Sequence, residues 1–174
     1  MLAAGALLLP GSAVANTGSN GGTSPDDPAY RPGPKAKLVN GRAVPPQGAP
    51  ERVVRAIEAA NRIVGKPYRL GGGHARIEDS AYDCSGTVSY VLHHAGLLKT
   101  PRDSRGFLSW GRSGKGKWFT VYSSNGHAYI VIAGLRLDTS AAGGTAQGQK
   151  PGRGPRWRKK TRPGHFRARH APGW

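Results

Sequence analysis

Apolar positions along the chain first become periodic between residues 50 and 65. Pro50 stands where the first turn of a helix tolerates proline, and Gly65 follows the last apolar position. Between them, apolar residues recur at the three- and four-residue spacing of one helix face: Val53, Ile57, Ala60 and Val64. This pattern predicts a first helix that packs on the core.

A second helical pattern begins at the only cysteine of the chain, Cys84. Either Ser80 or Asp83 can supply the N-cap, and Gly96 is a typical C-terminal stop. The apolar residues between these ends again share one helix face: Val88, Val91, Leu92 and Ala95. The sequence therefore predicts a helix with Cys84 at its N-terminus.

Three stretches rich in β-branched and aromatic residues follow, at residues 118–122, 127–133 and 135–139. The middle stretch is apolar almost throughout, which is typical of a central strand. Ala133 and Gly134 can form a tight hairpin turn between the second and third stretches. We therefore expect neighbouring strands with the middle one inside the sheet.

The 174 residues suit one domain with tails, since 27 glycines and 14 prolines crowd towards both ends. Residues 1–15 combine an apolar run, a Pro-Gly breaker and small residues spaced for cleavage, which predicts a secretory signal and a secreted protein. A low-complexity N-terminus is the alternative. Residues 16–50 are predicted to be a linker, residues 51–148 a folded domain, and residues 149–174 a basic segment that adds one edge strand.

The formal net charge is +17, and nine of the 26 basic side chains lie after residue 140, where no acidic residue occurs. A segment of this kind should bind polyanions. Nucleic acid, anionic lipid and the acidic polymers of a bacterial wall all have the required sign of charge.

Cys84 is a candidate nucleophile because of its position. The first N–H groups of a helix lack intrahelical partners and the helix dipole favours negative charge, so a thiol there is shifted towards the reactive thiolate. A lone cysteine also excludes an intrachain disulfide and a cysteine-based zinc cluster. A buried structural thiol is the alternative, and a base elsewhere in the chain would decide between the two.

His127 opens the predicted central strand, and Asp138 follows it across the predicted hairpin. A turn near Ala133 would bring the imidazole and the carboxylate within hydrogen-bonding reach. A cysteine at a helix N-terminus and a histidine on a later strand can form a thiolate–imidazolium pair, which a third polar group orients. The candidate catalytic residues are Cys84, His127 and Asp138; a capped histidine and an exposed aspartate are the alternatives.

Three motifs occur in a fixed order within residues 51–140. They are Tyr68-Arg69-Leu70-Gly71-Gly72, Asp83-Cys84-Ser85-Gly86-Thr87-Val88 and Gly126-His127-Ala128-Tyr129-Ile130-Val131-Ile132. In order and character they resemble the NlpC family of bacterial cell-wall cysteine peptidases. The resemblance implies a small papain-like α+β fold, with a cysteine-bearing helix packed on an antiparallel sheet that carries the histidine. It also implies cleavage of γ-D-glutamyl-diamino acid bonds in peptidoglycan stem peptides.

Carried over residue by residue, the resemblance gives each matching position a role. Cys84 would be the nucleophile and His127 the base. Tyr68 would help to bind the oxyanion, while Asp83 and Ser85 would hold the free amine of the peptide.

Two positions depart from the family pattern. The third catalytic residue of the family is usually a histidine, whereas the nearest match here is Asp138. Tyr129 lies close to the position at which the family has a small glycine, which predicts a narrower cleft and an altered substrate preference.

For His74, in the glycine-rich loop before Cys84, we favour a surface position over one in the cleft.

No metal or other cofactor is expected, because the adjacent His93 and His94 do not share a helix face. We expect a monomer that acts on stem peptides, has no specific nucleic-acid partner, and is held to anionic wall polymers by its basic segment. The alternatives are a non-catalytic polyanion-binding or wall-binding module on the same fold, and an amidase or acyltransferase that uses the same cysteine and histidine.

Overall fold

The computed structural model describes residues 34–140, 154–159 and 164–174. The predicted signal segment, residues 1–15, lies outside these ranges. Within them, no helix is both long and apolar enough to cross a membrane. The helices are α1 (Glu51–Ile63), α2 (Cys84–His94) and α3 (Ser104–Phe107), and the strands are β1 (Lys37–Val39), β2 (Arg42–Val44), β3 (Arg112–Ser113), β4 (Phe119–Ser123), β5 (Ala128–Ile132), β6 (Leu135–Asp138), β7 (Arg156–Arg158) and β8 (Arg167–His170).

Six of the described strands form one antiparallel sheet in the order β3-β8-β4-β5-β6-β7. β5 lies inside this sheet, as its apolar sequence predicted. Helix α2 packs against β5 and β6, and α1 packs against α2. The predicted α+β class, with the cysteine-bearing helix on an antiparallel sheet, is therefore confirmed.

Both predicted long helices form close to the expected ends. Pro50 is the N-cap of α1, and the residues on its predicted apolar face, Val53, Ile57 and Ala60, are fully buried. Burial of a valine or isoleucine side chain contributes about 1.5 to 3 kcal/mol. This face fixes α1 to the rest of the core.

Helix α2 begins with an aspartate cap. Asp83, rather than Ser80, accepts a hydrogen bond from the backbone N–H of Gly86 at 2.7 Å. Beyond the helix, Gly96 has a φ of 69°, a left-handed conformation that glycine adopts without strain. The cap therefore fixes Cys84 as the first residue of α2.

A two-residue turn joins β5 to β6. Ala133 and Gly134 have φ angles of 45° and 79°, the pair of positive values that a type I′ turn requires. The turn pairs Ile132 with Leu135 and Ile130 with Leu137. If this register is continued by one pair, Asp138 lies opposite Tyr129, and Tyr129 is two residues after His127.

The predicted single edge strand in residues 149–174 is a wrong expectation. β7 is an edge strand beside β6, but β8 lies between β3 and β4 inside the sheet. Arginine-rich sequence hides such strands, because arginine can lay its aliphatic stem on the sheet and keep its charge near solvent. The globular unit therefore extends past residue 148 to Trp174, whose carbonyl accepts the N–H of Trp118 at 2.9 Å.

Part of the predicted linker, residues 16–50, also belongs to the globular unit. β1 and β2 form a hairpin around Asn40 and Gly41, whose φ angles are 47° and 76°. Asn-Gly is a strong turn signal that the Gly- and Pro-rich composition obscured. The prediction for residues 34–50 is thus corrected, and residues 16–33 lie outside the described ranges.

One amide side chain joins three elements. Asn61 of α1 donates to the carbonyl of Ala43 at 2.9 Å and accepts the N–H of Ala43 at 3.0 Å. Its oxygen also accepts the indole N–H of Trp157 at 2.8 Å. Through Asn61, the β1-β2 hairpin and edge strand β7 are tied to the first helix.

Asn61→Ala should lower the free energy of unfolding by about 2 to 4 kcal/mol, because it leaves largely buried groups of Ala43 and Trp157 without partners. Urea denaturation measures this change. Asn125→Ala, at an exposed turn, is the control and should change it by less than about 0.5 kcal/mol. Equal effects of the two substitutions would contradict the assigned role of Asn61.

Candidate active site

The thiol of Cys84 is held where a glycine-rich loop meets the start of α2. The backbone N–H of Asp83 donates to the carbonyl of Gly72 at 3.1 Å. A Cβ atom on Gly86 would lie 2.0 Å from that same carbonyl oxygen. Only glycine permits this close approach, which leaves Cys84 partly exposed beside the loop.

Asp79 fixes the path of this loop. Its carboxylate accepts the N–H of Gly73 at 3.0 Å and pairs with the guanidinium of Arg69 at 2.7 Å. These hydrogen bonds hold the pKa of Asp79 well below its usual range. The loop is therefore cross-linked internally before it reaches Cys84.

His127 and Asp138 come together across the β5-β6 hairpin. Nε2 of His127 lies 2.9 Å from Oδ1 of Asp138, whose side chain is fully buried. The backbone of His127 is fixed by the preceding turn, since its carbonyl accepts the N–H of Ser124 at 2.9 Å. The geometric prediction that the hairpin brings imidazole and carboxylate into contact is confirmed.

The imidazole also interacts with the thiol. Burial lowers the pKa of His127, but hydrogen bonds with Asp138 and Cys84 outweigh it and raise the pKa to about 9. Because Nε2 is bonded to Asp138, Nδ1 is the ring nitrogen left for the sulfur. The structure thus brings Cys84, His127 and Asp138 into one chain of contacts.

Ser140 is a neighbour that the sequence reasoning missed. Its N–H and its hydroxyl both donate to Asp138, at 2.9 and 2.6 Å. Burial alone would raise the pKa of Asp138, but the hydrogen bonds from His127 and Ser140 keep it well below its usual range. A serine two residues after an aspartate is a common local hydrogen-bonding pattern and could have signalled this contact.

Phe166, just before β8, is a second missed neighbour. Its ring centre lies 6.2 Å from that of His127 and 5.1 Å from that of Tyr129, with edge-to-face geometry in both cases. No local pattern could have revealed it, because the contact depends on where the arginine-rich segment enters the sheet.

Tyr129 does not narrow the cleft as expected. Its side chain is only 1% exposed and stacks on Tyr122 with ring centres 4.9 Å apart. Strand alternation sets its ring beside Asp138 and beneath Phe166, away from solvent. The predicted narrowing by Tyr129 is therefore wrong.

Tyr68 lies near the sulfur, as its assigned role would require. Burial raises the pKa of its hydroxyl, and the negative charges of Cys84 and Asp83 raise it further. The phenol therefore remains protonated and can donate a hydrogen bond near Cys84.

Asp83 and Ser85 flank Cys84, but their side chains already have a partner in the chain. Nε2 of His74 lies 3.0 Å from Oδ1 of Asp83 and 3.3 Å from Oγ of Ser85. The side chain of His74 is 25% exposed, and it is bonded to both residues that flank Cys84 rather than only to solvent. Whether Asp83 and Ser85 hold a substrate amine stays a prediction.

No cluster of three or more potential metal ligands occurs in the described ranges. His94 lies instead 3.0 Å from the carboxylate of Glu78.

Solved structures provide an independent comparison for the fold. The chain is similar to an NlpC/P60 family protein from Bacillus cereus, with 19% identity over 73% of this chain and 41% of that one and a TM-score of 0.50. It is also similar to a mutant of the resuscitation promoting factor interacting protein RipA, with 20% identity over 80% and 72% of the two chains and a TM-score of 0.52. The chain has the NlpC/P60 fold.

At these identities the likeness concerns the NlpC/P60 fold, and the chain spans less than half of the Bacillus cereus protein. No protein-family model matches the sequence. No curated protein matches it either. Within this fold, Cys84 is the first residue of α2 and His127 directly precedes the central strand β5.

The raised pKa of His127 predicts a pH-dependent contribution to stability. Its pKa rises from an ordinary 6.5 to about 9 on folding, so the pair with Asp138 stabilises the fold fully below pH 6.5 and progressively less up to pH 9. Asp138→Asn should therefore cost on the order of 2 to 3 kcal/mol at pH 6 and much less at pH 9.5. Urea denaturation at both pH values gives the difference.

Glu51→Gln, which removes a charge from an exposed pair with Arg55, is the matched control and should show no such pH dependence. Proton NMR titration of the His127 ring provides a second readout. A His127 pKa below 7 in the unaltered protein would contradict the assignment.

Proposed function

We propose that this protein is a cysteine hydrolase that cleaves amide bonds in peptidoglycan stem peptides, as a γ-D-glutamyl-diamino acid endopeptidase. One observation carries the proposal: Cys84, at the N-terminus of α2, contacts His127, and the other ring nitrogen of His127 is bonded to Asp138. The NlpC/P60 fold and the three ordered motifs support the same reaction class.

In the first step, the sulfur of Cys84 attacks the carbonyl carbon of the scissile amide. With a pKa of about 9, His127 is protonated at neutral pH and can give its proton to the departing amine. The product is a thioester between the acyl group and Cys84. Water, deprotonated by the now neutral His127, hydrolyses the thioester and restores the thiolate–imidazolium pair.

Asp138 acts on this sequence through His127. Its hydrogen bond to Nε2 holds the ring so that Nδ1 faces the sulfur, and its negative charge stabilises the imidazolium. Ser140 in turn fixes the carboxylate with two hydrogen bonds.

The oxyanion that forms during attack needs hydrogen-bond donors near the sulfur. The N-terminus of α2 offers backbone N–H groups and a favourable dipole there. Tyr68, protonated and near Cys84, adds a side-chain donor. These groups supply electrostatic stabilisation beside the sulfur of Cys84.

We further propose that the protein is secreted, acts as a monomer at the cell wall, and is held there by anionic wall polymers. Strands β7 and β8 supply part of the required positive charge. Four of their seven residues are arginines: Arg156, Arg158, Arg167 and Arg169.

Cys84→Ala should abolish release of stem-peptide fragments from purified peptidoglycan, because no other residue can form the thioester. Asp138→Ala should lower the rate by about 10²-fold or more, as expected for loss of an acid–base partner. Mass spectrometry of the released fragments measures the rate and locates the cleaved bond.

Glu51→Gln, which removes a charge from an exposed pair with Arg55 on α1, is the control and should retain most of the activity. Equal turnover by the unaltered protein and Cys84→Ala would refute the proposal. A loss of less than about tenfold in Asp138→Ala would remove Asp138 from the mechanism while leaving Cys84 and His127 in place.

Alkylation separates an enzyme from a non-catalytic binding module on the same fold. At pH 6 an ordinary thiol is almost fully protonated and reacts slowly with iodoacetamide, whereas a thiolate paired with imidazolium reacts quickly. We expect Cys84 to be alkylated at least about tenfold faster in the unaltered protein than in His127→Ala. Equal rates would favour the binding module.

A further inference from the structure

The glycine-rich loop places His74 over the start of α2, beside the proposed nucleophile. A turn closes between Gly71 and His74, whose N–H donates to the carbonyl of Gly71 at 3.3 Å. Gly73, with a φ of 82°, has no room for a side chain, because a Cβ atom there would lie 2.6 Å from the ring of Tyr82. The position of the imidazole is thus determined by a tightly packed backbone.

His74 contacts the two residues that the family resemblance assigns to the free amine of a substrate. Its Nε2 lies 3.0 Å from Oδ1 of Asp83 and 3.3 Å from Oγ of Ser85. An ammonium group that entered beside Oδ1 of Asp83 would compete with His74 for the same acceptor oxygen. A side chain of the protein itself therefore already fills that position.

The Asp83 carboxylate has few acceptor sites left. It also accepts the N–H groups of Gly71 and Gly86, at 2.9 and 2.7 Å, and the hydroxyl of Ser85 at 3.3 Å. A carboxylate oxygen has about two lone-pair sites, and three of the four donors share Oδ1, so this oxygen has no site left for a further donor. The side chain of Asp83 is 7% exposed and that of His74 is 25% exposed, so the imidazole is the more accessible of the two groups.

The charges around His74 also disfavour a free ammonium group at this place. The hydrogen bond to Asp83 raises the pKa of His74 against the opposing effect of burial, and the negative charges of Asp83 and Asp103 raise it further. A protonated His74 would neutralise Asp83, and a second cation beside it would be repelled. An uncharged amide carries no such penalty, and its carbonyl oxygen can accept a hydrogen bond from the ring.

We propose that His74 determines specificity by excluding a free ammonium group from this end of the cleft, so that the substrate is a stem peptide whose amino end is acylated. This inference rests on the proposed function and narrows its substrate class. It departs from the expectation that Asp83 and Ser85 hold a free amine.

Two synthetic peptides test the proposal: L-alanyl-γ-D-glutamyl-diamino acid with a free amino end, and the same peptide N-acetylated. The unaltered full chain should cleave the acetylated peptide with a kcat/KM at least about tenfold higher than that for the free peptide. His74→Ala should reduce this ratio by about tenfold or invert it, because it uncovers the Asp83 carboxylate. His74→Gln, which keeps a hydrogen-bond donor without the charge, should give an intermediate ratio.

His94→Gln is the matched control. His94 also lies 3.0 Å from a carboxylate oxygen and is 27% exposed, but it is at the opposite end of α2 from Cys84. The ratio should remain unchanged in this variant. A merely structural effect of substituting His74 would lower activity on both peptides without altering their ratio.

Binding of both peptides to the Cys84→Ala protein, measured by calorimetry, separates the two proposals. Preferential binding of the acetylated peptide without turnover by the unaltered protein would refute the proposed function and support the role of His74. Three outcomes with turnover would overturn the role of His74 alone. They are equal kcat/KM for the two peptides, a higher kcat/KM for the free peptide, and a ratio of the two that neither His74→Ala nor His74→Gln changes. Absence of both binding and turnover would overturn both.

Discussion

One half of the site depends on the hydrogen bonds that the carboxylate of Asp83 accepts. It caps α2 through Gly86, anchors the glycine-rich loop through Gly71, and pairs with His74. A helix N-terminus needs such acceptors because its first N–H groups have no partners within the helix. The same group that starts the helix therefore also fixes the loop beside the sulfur of Cys84 and sets the charge there.

The other half of the site depends on the turn between β5 and β6. Because both turn residues adopt positive φ angles, the hairpin has a two-residue loop and a single register. That register places His127 and Asp138 in diagonal contact at the end of the hairpin remote from the turn. Packing of α2 on β5 and β6 then joins the halves, and the sulfur of Cys84 meets the imidazole.

The basic C-terminal segment has a structural role in addition to its charge. Trp157 of β7 and His170 of β8 are buried, and Trp157 is bonded to Asn61. The ring of Phe166 lies edge-to-face against that of His127. From its charge alone, this segment is predicted to be a tail that binds polyanions. In the fold it completes the sheet on both sides of the hairpin and shapes the surroundings of the proposed base.

The sequence by itself determined what depends on near neighbours: the two long helices, the cap and start of α2, the β5-β6 turn, and the contact between His127 and Asp138. These features follow from helical periodicity, capping chemistry and turn geometry, each of which acts over a few residues. Only the tertiary structure decided that β8 enters the sheet, that the ring of Phe166 contacts that of His127, and that His74 pairs with Asp83. Those contacts join segments through packing and backbone hydrogen bonds, which impose no regular pattern on the residues involved.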